Sequence, residues 1–596
     1  MYWLESRPAE QGRSTLLRKR SHQVEELLHA PFSVRTRVHE YGGGALAVAD
    51  GVVIFCNDAD QQLYRLDTNG PAPRPQAITA QPGMRFADLQ IDARRGRVLC
   101  VAERARPGHE PENLLVEVSL ASGEVTELVT GADFYAFPRL DPQGRRLAYL
   151  SWNHPAMPWD ACELWVAEIG PDGSVSSAIR VAGGLAEAIF QPSWSPAGVL
   201  HFVSDRSGHG NLYRLSDDGA SLCVCPMKAE FAMPLWVFGL STYGWLDDDT
   251  VACVYQKGGF WHLARLACSQ GKLEPVVTEL TELGLVFASH GRATFVGGSA
   301  AKEPALYVLD GDRIEVFHRP TSNELPSDNL ARPQSIDFPT SEGATAHGLY
   351  YSPINPAYAP LPGEKPPLLV ICHGGPTGRA ATALNLAIQF WTSRGFCVLD
   401  VNYRGSTGYG RAYRKMLDGN WGVFDVEDCV AGARALAAQG VVDGRRMAIR
   451  GSSAGGLTVL GALAFHDVFS AGASYYGVCD LVALATDTHK FESRYLDTLV
   501  GPYPERADLY RARSPVYAAD RISCPVIFFQ GLEDRVVPPA QAEAMVKALR
   551  QRGIEAPLFL FPGEQHGFRR KETLVTALTA ELDFYRKVFG ITETTA

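Results

Sequence analysis

Hydrophobic residues along this chain follow two rhythms, and the rhythm changes near residue 330. Before that point, short runs rich in Val, Leu, Tyr and Trp alternate with turns of Asp, Gly, Pro and Asn, and helical periodicity is almost absent. The runs recur. YRLDT (64–68), WVAEI (165–169), YRLSD (213–217), HLARL (262–266) and YVLDG (307–311) each follow a strand-like run such as VVIFCND, RRLAYLSWN, GVLHFVSD, TVACVYQ or ATFVGGS. The repeat spacing is about 40 to 50 residues, the range of propeller blades. Roughly seven units result, starting near residues 1, 41, 84, 135, 188, 236 and 286. One four-stranded unit cannot cover both faces of its own sheet, so a closed ring of them supplies the missing cover. A pair of β-sandwiches is the alternative for the same strands. The first unit offers three strands, so either the ring closes with fewer strands there or an N-terminal segment is lacking.

After residue 330 the pattern becomes strand–helix–strand. A hairpin is predicted over 331–353, then strands at 368–373, 396–403, 446–451, 470–477, 525–531 and 557–562. Several are continuous apolar runs, as strands buried on both faces must be. Helices are predicted over 378–394, 425–439, 454–466, 538–552 and 571–588. The alternation predicts a mostly parallel sheet with helices on both faces, an α/β-hydrolase-type domain over 331–596 behind an all-β propeller over 1–330.

Composition changes this picture little. At 596 residues the chain exceeds what one core organises. Its 10 Trp, 22 Tyr and 27 Phe exclude a disordered chain. A net charge of −10 gives no reason to bind nucleic acid or an anionic membrane. The basic cluster Arg13, Arg18, Lys19 and Arg20 reads as a solvated strand edge. The 12 Cys contain no CxxC pair, which suggests reduced, mostly buried thiols rather than a zinc or disulfide framework. With no signal-like N-terminus and no apolar run of membrane-spanning length, a soluble, cytoplasmic protein is expected. Neither metal nor organic cofactor is called for, and exposed blade edges allow a homo-oligomer.

The chemistry concentrates in the second half. In RMAIRGSSAGGLTVLGALAFH (446–466) an apolar strand runs into Gly451-Ser452-Ser453-Ala454-Gly455-Gly456 and then a helix of small residues. The GxSxG spacing selects Ser453 over Ser452, because glycines must flank the nucleophile at minus two and plus two of a tight strand-to-helix turn. A serine needs a base. His566 follows the last predicted strand, in PLFLFPGEQHGF (557–568); His373, His466 and His489 are weaker candidates by position. A carboxylate must orient that base. Asp534, in PVIFFQGLEDRVVPP (525–539), lies just beyond the preceding strand, with Glu533 and Asp480 as alternatives. The order Ser, Asp, His is that of α/β-hydrolases. Oxyanion donors are expected from the backbone of Gly374 and Gly375, in LLVICHGGPTG (368–378), and of Ala454.

Several of these stretches together resemble the prolyl oligopeptidase family of serine peptidases: HGGP (373–376), NYRGSTGYGR (402–411), WGVFDVED (421–428), GSSAGG (451–456), GLEDRVVP (531–538) and EQHGF (564–568). FPRLDPQGRRLAYLSWNHPAMPWD (137–160) is similar to propeller sequence of the bacterial acylaminoacyl-peptidase and dipeptidyl-aminopeptidase-like branch. The resemblance implies cleavage of short peptides, with the propeller as a size filter. It also suggests His373, Tyr475, Tyr476 and Val536 as substrate-binding residues. The sequence departs from the dipeptidyl peptidases, which have a Tyr oxyanion donor where His373 stands and an Asn where Val536 stands. Their paired glutamates have no counterpart beyond Glu25-Glu26 in the ill-defined first unit. Aminopeptidases, acylaminoacyl peptidases and oligopeptidases are the nearer likeness. The triad alone fits a carboxylesterase or amidase equally well, and a propeller-based binding protein with residual hydrolase is a third reading.

Overall fold

The regularly spaced apolar runs of the first half pair into seven antiparallel sheets, which form a seven-bladed propeller. The computed structural model describes residues 1–20, 23–70, 73–320, 325–358 and 362–591. Six blades have four strands each; the first has three, Tyr2–Arg7, Arg13–Arg20 and Gln23–Glu26. Within a blade, the last strand is the most exposed. Phe134–Leu140 is mostly buried, whereas Ile179–Gly183, the fourth strand of the same sheet, is largely open to solvent. The basic cluster of the first blade is more buried than its charge predicts. Arg18 is 6% exposed and donates to Glu25 at 2.5 Å, while Arg13 donates to Glu26 at 2.6 Å. Cross-strand acidic partners, invisible to a reading of the basic run alone, make the burial tolerable.

The second half forms one eight-stranded sheet, numbered here within that sheet. Its strands are β1 (Gln334–Pro339), β2 (Thr345–Tyr351), β3 (Leu368–Cys372), β4 (Cys397–Asn402), β5 (Met447–Ser452), β6 (Ala471–Tyr475), β7 (Val526–Gly531) and β8 (Leu558–Phe561). Their spatial order is β1-β2-β4-β3-β5-β6-β7-β8. The first three in that order pair antiparallel and the rest parallel. Alternate residues of β3 serve different cores: Leu368 and Val370 join one cluster and Leu369 the other. Helices α1 (Phe424–Ala438), α2 (Ala454–Phe465), α3 (Pro539–Gln551) and α4 (Lys571–Phe589) supply that cover. No described helix is long and apolar enough to cross a membrane.

One predicted helix is much shorter than its pattern. The stretch 378–394 is helical only over Leu386–Thr392, opened by Asn385, whose side chain accepts from the amides of Ala387 and Ile388. The residues before it are drawn to the propeller. Arg379 forms an ion pair with Glu282, and Thr382 donates its amide to Glu282 at 2.9 Å and its hydroxyl to the Thr281 carbonyl at 2.8 Å. Tertiary contact overrides helix propensity here.

Further contacts join the two halves. Asp205, in the propeller, accepts from Arg411 at 2.7 Å and Arg414 at 2.6 Å, with its own side chain 4% exposed. Trp236 donates to the Thr377 carbonyl at 2.7 Å. Replacing Asp205 by Ala leaves two guanidiniums partly buried without their shared carboxylate. The expected loss is about 3 kcal/mol, read as a lower urea midpoint; an unchanged midpoint would show that the halves hold together without this contact.

Candidate active site

Strand β5 delivers its chain into α2 through a turn that only small residues can make. Ser453 sits at the turn with φ 55° and ψ −122°, a left-handed backbone that side-chain-bearing residues rarely adopt. The surrounding glycines are required by distance. A Cβ on Gly451 would stand 2.4 Å from the Gly455 carbonyl oxygen, and one on Gly455 would stand 2.4 Å from that of Cys372. Gly456 packs so closely on Gly477 that its Cβ would come within 2.3 Å of the Gly477 Cα.

Two further loops leave the same edge of the sheet. After β7, Asp534 is 4% exposed. Its Oδ1 accepts from the amides of Val536 and Val537, both at 2.9 Å, and its Oδ2 from Gln530 at 3.3 Å. After β8, the loop bearing His566 lies against Gly531, where a Cβ would meet the Glu564 carbonyl oxygen at 2.6 Å. The buried Glu564 carboxylate accepts from the amides of Arg569 at 3.0 Å and Arg570 at 2.9 Å and so closes this loop on itself. The result is a continuous path. His566 Nδ1 lies 2.8 Å from Asp534 Oδ2, and His566 Nε2 lies 2.8 Å from Ser453 Oγ. With Nδ1–H donating to the carboxylate, Nε2 is free to accept from the hydroxyl.

The other candidates for these roles sit elsewhere. Glu533 is exposed, and Asp480 caps a helix by accepting from the amides of Val482 and Ala483. His466 ends α2, and His489 has its Nε2 3.1 Å from Glu492.

Strand β3 ends in the His373–Pro376 loop. The backbone of Gly374 packs on the nucleophile, so that a Cβ there would lie 3.1 Å from the Ser452 carbonyl oxygen and 3.5 Å from Ser453 Cβ. Gly375, Ala454 and Val536 line, with Ser453 itself, a small cavity. Ala454 opens α2, and the amides of a helix's first turn have no acceptor within the helix. Trp421, Leu484 and Leu496 make much of the remaining wall apolar.

Two residues offered for substrate binding are otherwise engaged. His373 Nδ1 is 2.9 Å from the Gly374 carbonyl oxygen, Nε2 is 2.8 Å from Ser406 Oγ, and the ring stacks on Tyr403 at 4.2 Å. Burial lowers its pKa to about 4, so it is neutral near pH 7 and braces its loop. Tyr475 donates to Glu581 at 2.5 Å within the core beneath α4. Tyr476 instead faces the site, its ring 5.0 Å from that of His566. Adjacent residues at a strand end point to opposite sides, which separates the two tyrosines.

The residues missed from the sequence lie mostly in 478–496, between β6 and β7: Val478, Leu484, Thr488, Glu492, Tyr495 and Leu496 reach the cavity. The segment has no sustained periodicity, so nothing local distinguishes its cavity residues from its surface ones. Among the described residues, no group of three or more His, Cys, Asp or Glu is placed to hold a metal ion.

The model of the prolyl oligopeptidase family matches residues 382–592. Across the whole chain, a crystal structure of puromycin hydrolase superposes with a TM-score of 0.95 and 39% identity, covering 99% of this chain and 93% of that one. The chain belongs to the prolyl oligopeptidase family. A puromycin-hydrolyzing peptidase of Mycobacterium tuberculosis is equally similar, with a TM-score of 0.95, 39% identity and the same coverage of 99% and 93%. Among curated relatives, dipeptidyl aminopeptidase BIII of Pseudoxanthomonas mexicana is 32% identical over 35% of this chain and 31% of its own length. The acylamino-acid-releasing enzyme of Arabidopsis thaliana is 28% identical over 35% and 29%. The similarity to these curated family members thus spans about a third of their length.

Because the Gly455 backbone abuts the Cys372 carbonyl, Gly455→Ala must push α2 away from β3. A loss of about 2 kcal/mol in urea denaturation is expected, in the range of overpacked cores. Wild-type stability in this variant would show that the helix can shift without strain.

Proposed function

We propose that the chain is a serine peptidase that cleaves short peptides through an acyl-enzyme, with Ser453 as nucleophile, His566 as general base and Asp534 as the orienting carboxylate. The observation that carries this reading is the pair of 2.8 Å contacts linking Asp534, His566 and Ser453 above a glycine-flanked turn. His566 Nε2 takes the Ser453 proton as Oγ attacks the scissile carbonyl carbon. The amides of Ala454 and of Gly374 or Gly375 receive the negative charge that develops on the carbonyl oxygen. Asp534 stabilises the imidazolium, which then protonates the departing amine. Water, activated by the same imidazole, releases the acyl group.

In this reading residues 331–596 carry the chemistry and the propeller of 1–330 limits which substrates reach it. Family likeness supports peptides over simple esters, and the two structural neighbours named for puromycin hydrolysis make puromycin a substrate to assay. Twelve unpaired cysteines suit the reducing cytoplasm.

Ser453→Ala is expected to lower turnover of a chromogenic aminoacyl anilide by about 10³-fold or more, and a fluorophosphonate probe is expected to label Ser453 in the wild type. A purified variant with an undiminished rate would reject the assignment. A panel of peptide amides and esters with matched acyl groups separates peptidase from carboxylesterase: efficient ester cleavage with no peptide cleavage would favour the latter.

A further inference from the structure

A second space, a cleft of about 540 Å³, opens between the propeller and the loop that carries His566. Its volume is that of a site for a small ligand. The propeller wall is the first-blade turn over residues 9–13 together with Arg35 and Asp58, and the opposite wall is residues 563–565 with Arg569. The two walls touch, since a Cβ on Gly12 would stand 3.1 Å from Arg569 Cβ. No residue lines both this cleft and the cavity beside Ser453.

Three carboxylates and three guanidiniums line the cleft, and they do not pair off. Glu10 pairs with Arg13 at 2.7 Å, and Asp58 lies 3.4 Å from Arg37, which is outside the cleft. Glu564 accepts with both oxygens from the amides of its own loop. Arg35 and Arg569 are left over. Among the described residues neither guanidinium forms an ion pair or a hydrogen bond. Burial lowers the Arg35 pKa, the charge of Arg569 lowers it further, and Asp58 opposes them less. Like charges brought together in this way are unfavourable until an anion joins them. A carboxylate suits a guanidinium best, because two parallel hydrogen bonds form at once.

The order of bond breaking fixes which part of a substrate comes here. The acyl half stays on Ser453, while the departing amine takes its proton from His566 Nε2. The departing segment therefore begins at the imidazole, and Gln565, on the wall of the cleft, is the residue next to His566. Resting on the peptidase reading, we propose that Arg35 and Arg569 together bind the C-terminal carboxylate of the departing segment, so that the enzyme favours short peptides with a free carboxyl terminus. A departing segment of two residues, fully extended, carries its carboxylate about 7 Å from the cleaved bond. One guanidinium comes from each half of the molecule, so the site exists only where propeller and hydrolase meet. A terminal amide brings no charge and only one acceptor oxygen.

The test compares phenylalanylglycylglycine with its C-terminal amide in wild type, Arg35→Gln and Arg569→Gln. The wild type should prefer the acid by about 30-fold in kcat/KM. In each variant that ratio should fall by about 5-fold or more, chiefly through KM for the acid. A wild-type ratio of one or less, or an unchanged ratio in either variant, overturns the assignment. Should one variant fail to fold, the other decides. If neither peptide is cleaved, protection of Ser453 from a fluorophosphonate replaces the rates. The acid should then protect wild type at about 10-fold lower concentration than the amide, and equal protection overturns the proposal. The same probe tells the two readings apart. Labelled Ser453 with a ratio of one removes the carboxylate site alone, whereas an unlabelled wild-type Ser453 removes the peptidase reading and the carboxylate site with it.

Discussion

The backbone of Ser453 is held where a side-chain-bearing residue is uncomfortable, and the rest of the site is arranged around that constraint. A strand buried on both faces must turn directly into a helix buried along its length, and the chain has room for this only if its neighbours lack side chains. Gly451 gives way to the Gly455 carbonyl, Gly455 to that of Cys372, and Gly456 to Gly477. What the turn costs in strain is offset by the packing of α2, eleven of whose twelve residues are buried. The hydroxyl consequently projects from the sheet edge at which the loops after β3, β7 and β8 also emerge.

Those loops are positioned by separate devices. The Asp534 carboxylate folds its own turn by accepting two amides, and the Glu564 carboxylate does the same for the histidine loop. The glycine loop after β3 depends on a longer relay. Asp428, fully buried on α1, accepts from the Arg404 amide at 2.7 Å and pairs with its guanidinium at 2.8 Å. That fixes the turn after β4, from which Ser406 holds His373, while the Tyr403 hydroxyl stands 3.1 Å from the His373 carbonyl oxygen and 3.2 Å from that of Pro376. The NYRGS segment thus shapes the glycine loop without entering the cavity. A buried pair of this kind contributes more to geometry than to net stability, since desolvation offsets much of its attraction.

The legibility of the sequence follows the range of these interactions. The two rhythms of apolar residues record burial on one face or on both, and they show the propeller and the parallel sheet without further information. The turn at Ser453 and the loops of Asp534 and His566 are readable because each depends on residues within a few positions of itself. Where a partner is distant the reading fails. The stretch 378–394 looks helical until Glu282 and Thr281 draw Arg379 and Thr382 away, and the first-blade arginines look solvated until Glu25 and Glu26 are seen across the strands. His373, beside the glycines, looks like a substrate residue; the ring contacts with Tyr403 and Ser406 that occupy it come from a different loop.

The least legible part, 478–496, is also the part through which the propeller acts on the cavity. Its conformation follows from an aromatic cluster that spans both halves of the molecule: Phe491 lies among His39, Phe134, Trp152, Trp159 and Trp236, and Tyr495 packs on Trp159 and Trp236. Aromatic pairs of this kind bury large areas and prefer fixed relative orientations. The same short segment that packs on the propeller therefore presents Thr488, Glu492 and Leu496 to the nucleophile's cavity. A propeller that only screened substrates by size would need no such coupling. Here propeller residues pack directly on the segment that forms part of the cavity wall, so changes at His39 or Trp236 reach the cavity through packing, without any contact to Ser453, His566 or Asp534.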